Sequence, residues 1–191
     1  LSVFENVQIA TEHCRSAAEA QEAEPDSPAA KGLGNGFAIG GVIARGDLMD
    51  GLPGNGISTF GGNPLSTTAA NATLDYLLDH DLQRNAATLG SMIIGGLREA
   101  AAPLAAVGGV RGKGLMFAVD LVDPQTGAPS PALAARAIEE ARERGLLIGK
   151  GGLYGHALRM APPMNLTEAD AKEGMGTLVD ALRAVDAEAA R

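Results

Sequence analysis

Ala29-Ala30-Lys31-Gly32-Leu33-Gly34-Asn35-Gly36-Phe37 and Ser58-Thr59-Phe60-Gly61-Gly62-Asn63-Pro64 are the stretches whose reading decides the fold. The first sets one lysine on a glycine-rich turn. The second is a hydroxyl and glycine loop that opens a helix at Pro64. A lysine amine forms a Schiff base with a carbonyl group, and burial or neighbouring cations free it to do so. A helix N-terminus preceded by small residues is a ready place for an anion such as a phosphate. Two readings stand on the residues alone. Either Lys31 is a solvated loop charge and Thr59 a turn hydroxyl, or the pair serves a ligand that carries both a carbonyl and a phosphate.

Working outward, the 191 residues suffice for one ordinary domain or one and a half small ones. Hydrophobic residues make up 46% but aromatics only 3%, so Ala, Leu, Val and Gly must fill the core. The net charge of −8 disfavours nucleic acid, and Lys31, Lys113, Lys150 and Lys172 are too scattered to form a basic stripe. Cys14 is alone, so no disulfide framework is expected, which fits a reducing cytoplasm. No apolar run reaches membrane-spanning length, and the N-terminus lacks a signal-peptide pattern. It begins with Leu1, which gives the expectation of a fragment or a processed chain.

Residues 1–10 read as a short buried strand and 11–28 as a helical stretch stopped by Pro25 and Pro28. Residues 37–45 are apolar enough for an interior strand, and 50–55 form a loop. Leu74, Leu78, Leu82, Leu89, Ile93 and Leu97 make one apolar stripe, which predicts a single helix from Pro64 to about Ala100. Pro103 and Gly108-Gly109 mark a boundary. Beyond it the pattern predicts a strand over 115–122, then a helix capped by Ser130-Pro131 and ended by Gly145. Short strands at 145–149 and 157–160 follow. A last helix begins at Thr167, with Ala171, Met175, Leu178, Leu182 and Val185 on its buried face. The alternation predicts an α/β layer with helices against a sheet.

Arg159 lies between Leu158 and Met160, just before Pro162-Pro163. A cation among apolar neighbours needs a partner, either an internal acid or a ligand carboxylate gripped by both ends of its fork. Gly112-Lys113 is not a Walker loop, since Val107 and Gly114 break the pattern. His13, His80, His156 and Cys14 show no metal-ligand spacing, so no metal is expected.

AKGLGNGF followed by IGGV, then STFGGNPL, GGVRGKGLMFAVDL at 108–121 and GGLYGHALRMAPPMNL at 151–166 together resemble the class III pyridoxal-phosphate aminotransferases. This group includes the 4-aminobutyrate, ornithine and alanine–glyoxylate enzymes. The resemblance implies the C-terminal part of a fold-type I transferase, with residues 1–105 from the cofactor-binding large domain and 106–191 as the small C-terminal α/β domain. It implies pyridoxal 5′-phosphate held as an aldimine on Lys31, with Thr59 reaching the phosphate of the neighbouring subunit in a homodimer. Arg159 would receive a substrate carboxylate. The implied activity moves an amino group between an amino acid or ω-amine and a 2-oxo acid, in the cytoplasm. Residues 4–8 stand, in poor alignment, where the family carries Asp-Glu-Val-Gln, whose Asp salt-bridges the pyridine nitrogen. Here Glu5 takes the place of Asp and Asn6 that of Glu, so Gln8 and Glu5 are the implied ring contacts. Whole members are longer, and the unmatched part carries the main phosphate loop and a stacking aromatic. The alternative is therefore a non-catalytic truncated remnant that keeps only the fold or the dimer surface.

Overall fold

A computed structural model describes residues 35–40 and 59–190 of the chain. The readings made for residues 1–10, 11–28 and 50–55, and for Lys31, Glu5 and Gln8, lie outside the described residues. Of the strand read over 37–45, residues 37–40 are described and are not in a strand.

The helix read as one continuous element is two. Helix α1 spans Pro64–Asp79 and helix α2 spans Leu82–Ala101. Between them Asp81 takes a left-handed conformation, φ 47°, which an aspartate tolerates better than a bulky residue. The chain divides at this point, between Asp81 and Leu82, into two compact units. The apolar stripe breaks there too. In α1 the buried positions are Ser66, Ala70 and Leu77, and Leu78 is exposed. In α2, Leu82, Leu89, Ile93 and Leu97 are buried as read, joined by Ala86 and Ile94.

The second unit builds a four-stranded sheet from β1 (Val107–Lys113), β2 (Met116–Leu121), β3 (Gly149–Gly151) and β4 (Ala157–Met160). The strand order is β1-β2-β4-β3 and every neighbouring pair is antiparallel. β1 was not legible as a strand, because Val-Gly-Gly-Val-Arg-Gly-Lys has few β-formers and sits at an edge. The short strand expected at 145–149 lies at 149–151 instead.

Helix α3 spans Pro131–Glu143 and helix α4 spans Glu168–Ala189. Ser130 caps α3 by accepting from the Leu133 N–H, and Pro131 occupies its first turn. Thr167 caps α4 by accepting from the Asp170 N–H. One face of the sheet, Phe117, Val119, Leu121, Leu158 and Met160, is buried in a core with Leu97 of α2 and Leu178, Leu182 and Val185 of α4. The face predicted for α4 is therefore the buried one, with Met175 partly covered.

Two close approaches set the helix positions. A Cβ on Gly90 would lie 2.1 Å from the Gly114 carbonyl oxygen in the β1–β2 turn. A Cβ on Gly96 would lie 2.7 Å from the Met175 sulfur. Between α3 and α4, buried Glu140 receives hydrogen bonds from Arg136 at 2.5 Å and from Arg144, and Arg136 also reaches Glu188 at 3.0 Å. The Arg144 hydrogen bond, followed by the charge of Arg136, holds the Glu140 carboxyl below its ordinary value against the effect of burial.

Gly90→Ala gains about 1 kcal/mol of helix propensity but forces helix and hairpin apart. The net result should be a loss of about 1–3 kcal/mol by denaturant unfolding. Because the folded Glu140 carboxyl titrates below its unfolded value, its contribution is present above the unfolded value and is lost as pH falls through the folded one. Glu140→Gln should therefore lower the melting temperature at neutral pH, and the gap to the parent chain should close on acidification.

Candidate active site

The loop ahead of α1 is organised by Asn63. Its Oδ1 accepts from the Ser66 N–H at 3.0 Å, and its Nδ2 donates to the Phe60 carbonyl at 3.0 Å and to the Ser66 hydroxyl at 3.2 Å. This folds Thr59-Phe60-Gly61-Gly62 into a turn, with Gly62 at φ 69° and open space where its side chain would be. Thr59 is exposed at the start of the turn. No acidic residue stands in the first turn of α1, so the positive end of the helix is not neutralised locally. The donor chemistry and the open space suit a phosphate. Upstream, Asn35 and Gly36 both have positive φ, 48° and 106°, so the glycine-rich run does end in a left-handed turn.

Arg159 sits in β4, paired with Ala118 of β2 and Gly149 of β3. Strand alternation sends Leu158 and Met160 into the core and puts Arg159 on the opposite, exposed face. Its stem runs beside Gly151, where an added Cβ would lie 3.8 Å from the Arg159 Cβ and Cδ. An acid on the same face, opposite Ala157, is engaged elsewhere. Asp120 takes a two-pronged grip from Arg111, Nε to Oδ2 at 2.8 Å and Nη2 to Oδ1 at 3.0 Å. That hydrogen bond, with the charge behind it, raises the Arg111 pKa. His156 Nε2 stands 3.7 Å from the same carboxylate, while its Nδ1 is buried without a hydrogen bond among the described residues. Among the described residues Arg159 has no ion pair, so its fork remains available to a ligand.

The Arg111–Asp120–His156 cluster was missed in the sequence. Its signal is a pairing between strands, and the strand carrying Arg111 was not recognised. Thr59 and Arg159 belong to the two separate units, and Lys31, Glu5 and Gln8 lie outside the described residues. Among the described residues no helix is long and apolar enough to cross a membrane.

The chain matches the family model described as aminotransferase class-III over residues 15–182. It is 39% identical over 156 residues to an alanine–glyoxylate aminotransferase 2 homologue of Arabidopsis thaliana, covering 80% of this chain and 33% of that protein. It is 34% identical over 153 residues to an alanine/serine racemase of Pyrococcus horikoshii, covering 80% and 32%. Among solved structures, a phospholyase from Arthrobacter in complex with phosphoethanolamine superposes with a TM-score of 0.76 at 37% identity, covering 80% of this chain and 37% of that one. The chain belongs to the class III aminotransferases, a pyridoxal-phosphate-dependent family of fold type I. It spans about a third of the length of the curated relatives it matches.

Asn63→Ala should remove both the helix cap and the brace on the Thr59 turn, costing about 1 kcal/mol locally. Amide hydrogen exchange should quicken at Ser66 and Thr67 while the amides of β2 and β4 stay protected.

Proposed function

We propose that this chain contributes the lysine, one phosphate ligand and the carboxylate clamp of an aminotransferase. The reaction moves an amino group between an amino acid or ω-amine and a 2-oxo acid. The family match over residues 15–182 carries the reading, because it encloses the blocks that hold Lys31, Thr59 and Arg159. The exposed, unengaged fork of Arg159 supports it further.

Bound pyridoxal phosphate supplies an electron-withdrawing ring that stabilises negative charge on the substrate carbon. The Lys31 amine would hold the carbonyl end until the substrate's amine displaces it, and the freed Lys31 amine would then move a proton at the substrate carbon. The Thr59 hydroxyl donates to a phosphate oxygen, with the N-terminus of α1 adding its positive end. The Arg159 fork takes the substrate carboxylate by two parallel hydrogen bonds and fixes which face of the carbon meets Lys31. Glu5, one methylene longer than the aspartate it replaces, takes the ring-nitrogen contact, and Gln8 is a further cofactor contact. Thr59 serves the site of a partner subunit, so the working form is a homodimer, in the cytoplasm. Residues 1–105 form part of the large domain and 106–191 the small one.

The names of the relatives cover amino transfer, racemisation and phosphate elimination, so an assay must include a 2-oxo acid acceptor. A second reading, a remnant that keeps the fold without catalysis, is favoured by Glu5 and Asn6 standing where the family carries Asp and Glu.

Borohydride reduction in the presence of pyridoxal phosphate, followed by digestion and mass spectrometry, should place the cofactor on Lys31 and on none of Lys113, Lys150 and Lys172. Label on Lys150, or spread over all four lysines, would overturn the assignment. No label at all would favour the remnant.

A further inference from the structure

The exposed face of the sheet offers one carboxylate to two arginines. Arg111 of β1 and Arg159 of β4 both stand opposite Ala118 of β2, one on each side of it. Asp120 lies two residues further along β2 on the same face, between Gly109 and Ala157. It is therefore a diagonal neighbour of both arginines. Diagonal neighbours on one face of an antiparallel pair lie about 7–8 Å apart, within reach of long side chains.

Asp120 is committed to one of them. Arg111 donates from Nε to Oδ2 at 2.8 Å and from Nη2 to Oδ1 at 3.0 Å, so both carboxylate oxygens are taken. His156 Nε2 stands 3.7 Å from Oδ1, beyond hydrogen-bond length. Arg159 has no ion pair among the described residues. The Asp120 side chain is only 20% exposed, so losing both donors would leave a poorly solvated charge in need of another cation. The fork on the other side of Ala118 is such a cation, and an acid tethered beside it outcompetes one that must arrive from solution.

We propose that Arg111 is a positioning residue for the candidate site. By gripping Asp120 with both prongs, it keeps that carboxylate off Arg159 and leaves Arg159 open to a ligand carboxylate. This rests on the reading of Arg159 as a carboxylate clamp and deepens it by naming what holds the clamp open.

The test is labelling with phenylglyoxal, which modifies guanidinium groups, read arginine by arginine through mass spectrometry of the digested chain. Arg159 should label readily in the parent chain and more slowly, by about threefold or more, in Arg111→Ala, where Asp120 engages it. Arg111→Lys, which keeps the charge but not the two-pronged grip, should fall between them. Adding Asp120→Asn to Arg111→Ala should restore the parent rate at Arg159, a rescue that a merely structural role for Arg111 would not give. Unchanged labelling of Arg159 in Arg111→Ala, as when Asp120 turns to His156 instead, would overturn the proposal. Slower labelling that Asp120→Asn fails to reverse would overturn it as well. Pyruvate should protect Arg159 in the parent chain and in the double variant. No protection in either would overturn the clamp reading, while the labelling rates still decide whether Arg111 keeps Asp120 away.

Discussion

The register of β4 against β2 is the constraint on which the rest of the second unit depends. Leu158 opposite Val119 and Met160 opposite Phe117 bury one face of the sheet under α2 and α4. Because side chains alternate, that same register forces Arg159 outward between Ala118 and Gly149. A slip of one residue would drive a guanidinium into the core and expose two large apolar side chains, which no hydrogen bond there could offset. Core packing and the aim of Arg159 are thus one decision. The small neighbours serve the same end. Ala118 and the β3 glycines leave the arginine stem room to lie along the sheet, and a larger side chain at Gly151 would crowd it.

Charge is distributed so that most of the groups near the sheet and between the helices satisfy one another. Arg111 occupies Asp120 from the edge strand, and Glu140 is held between Arg136 and Arg144 while Arg136 also reaches α4 through Glu188. Exposed pairs of this kind contribute little to stability singly, but the partners of buried Glu140 lower its pKa against the effect of burial. The pairing also matters for the candidate site. With Asp120 gripped by Arg111, the cation on β4 is left for something outside the described residues. In the first unit the same economy appears on a smaller scale, where a single asparagine both caps α1 and shapes the turn that presents Thr59.

Much of this was written in local sequence. Ser130-Pro131 and Thr167 signalled their helices because capping depends on residues within one turn. The buried face of α4 followed from spacing alone, and the glycine-rich blocks carried the family. Other features needed the folded chain. The break at His80–Asp81 hides inside a run of leucines at helical spacing, and only packing shows that Leu78 is exposed while Leu82 is buried. Strand β1 is too rich in glycine to declare itself and exists because β2 offers it a pairing edge.

The sequence by itself determined the class III family, the starts of α1, α3 and α4 and the candidate residues Lys31, Thr59 and Arg159, since each rests on residue types at short spacing. Tertiary structure alone decided that Asp120 belongs to Arg111 and that Arg159 has no ion pair among the described residues. These are facts about residues distant in sequence and adjacent across strands. Strand register and helix packing fix such neighbours, and neither can be read from one segment at a time.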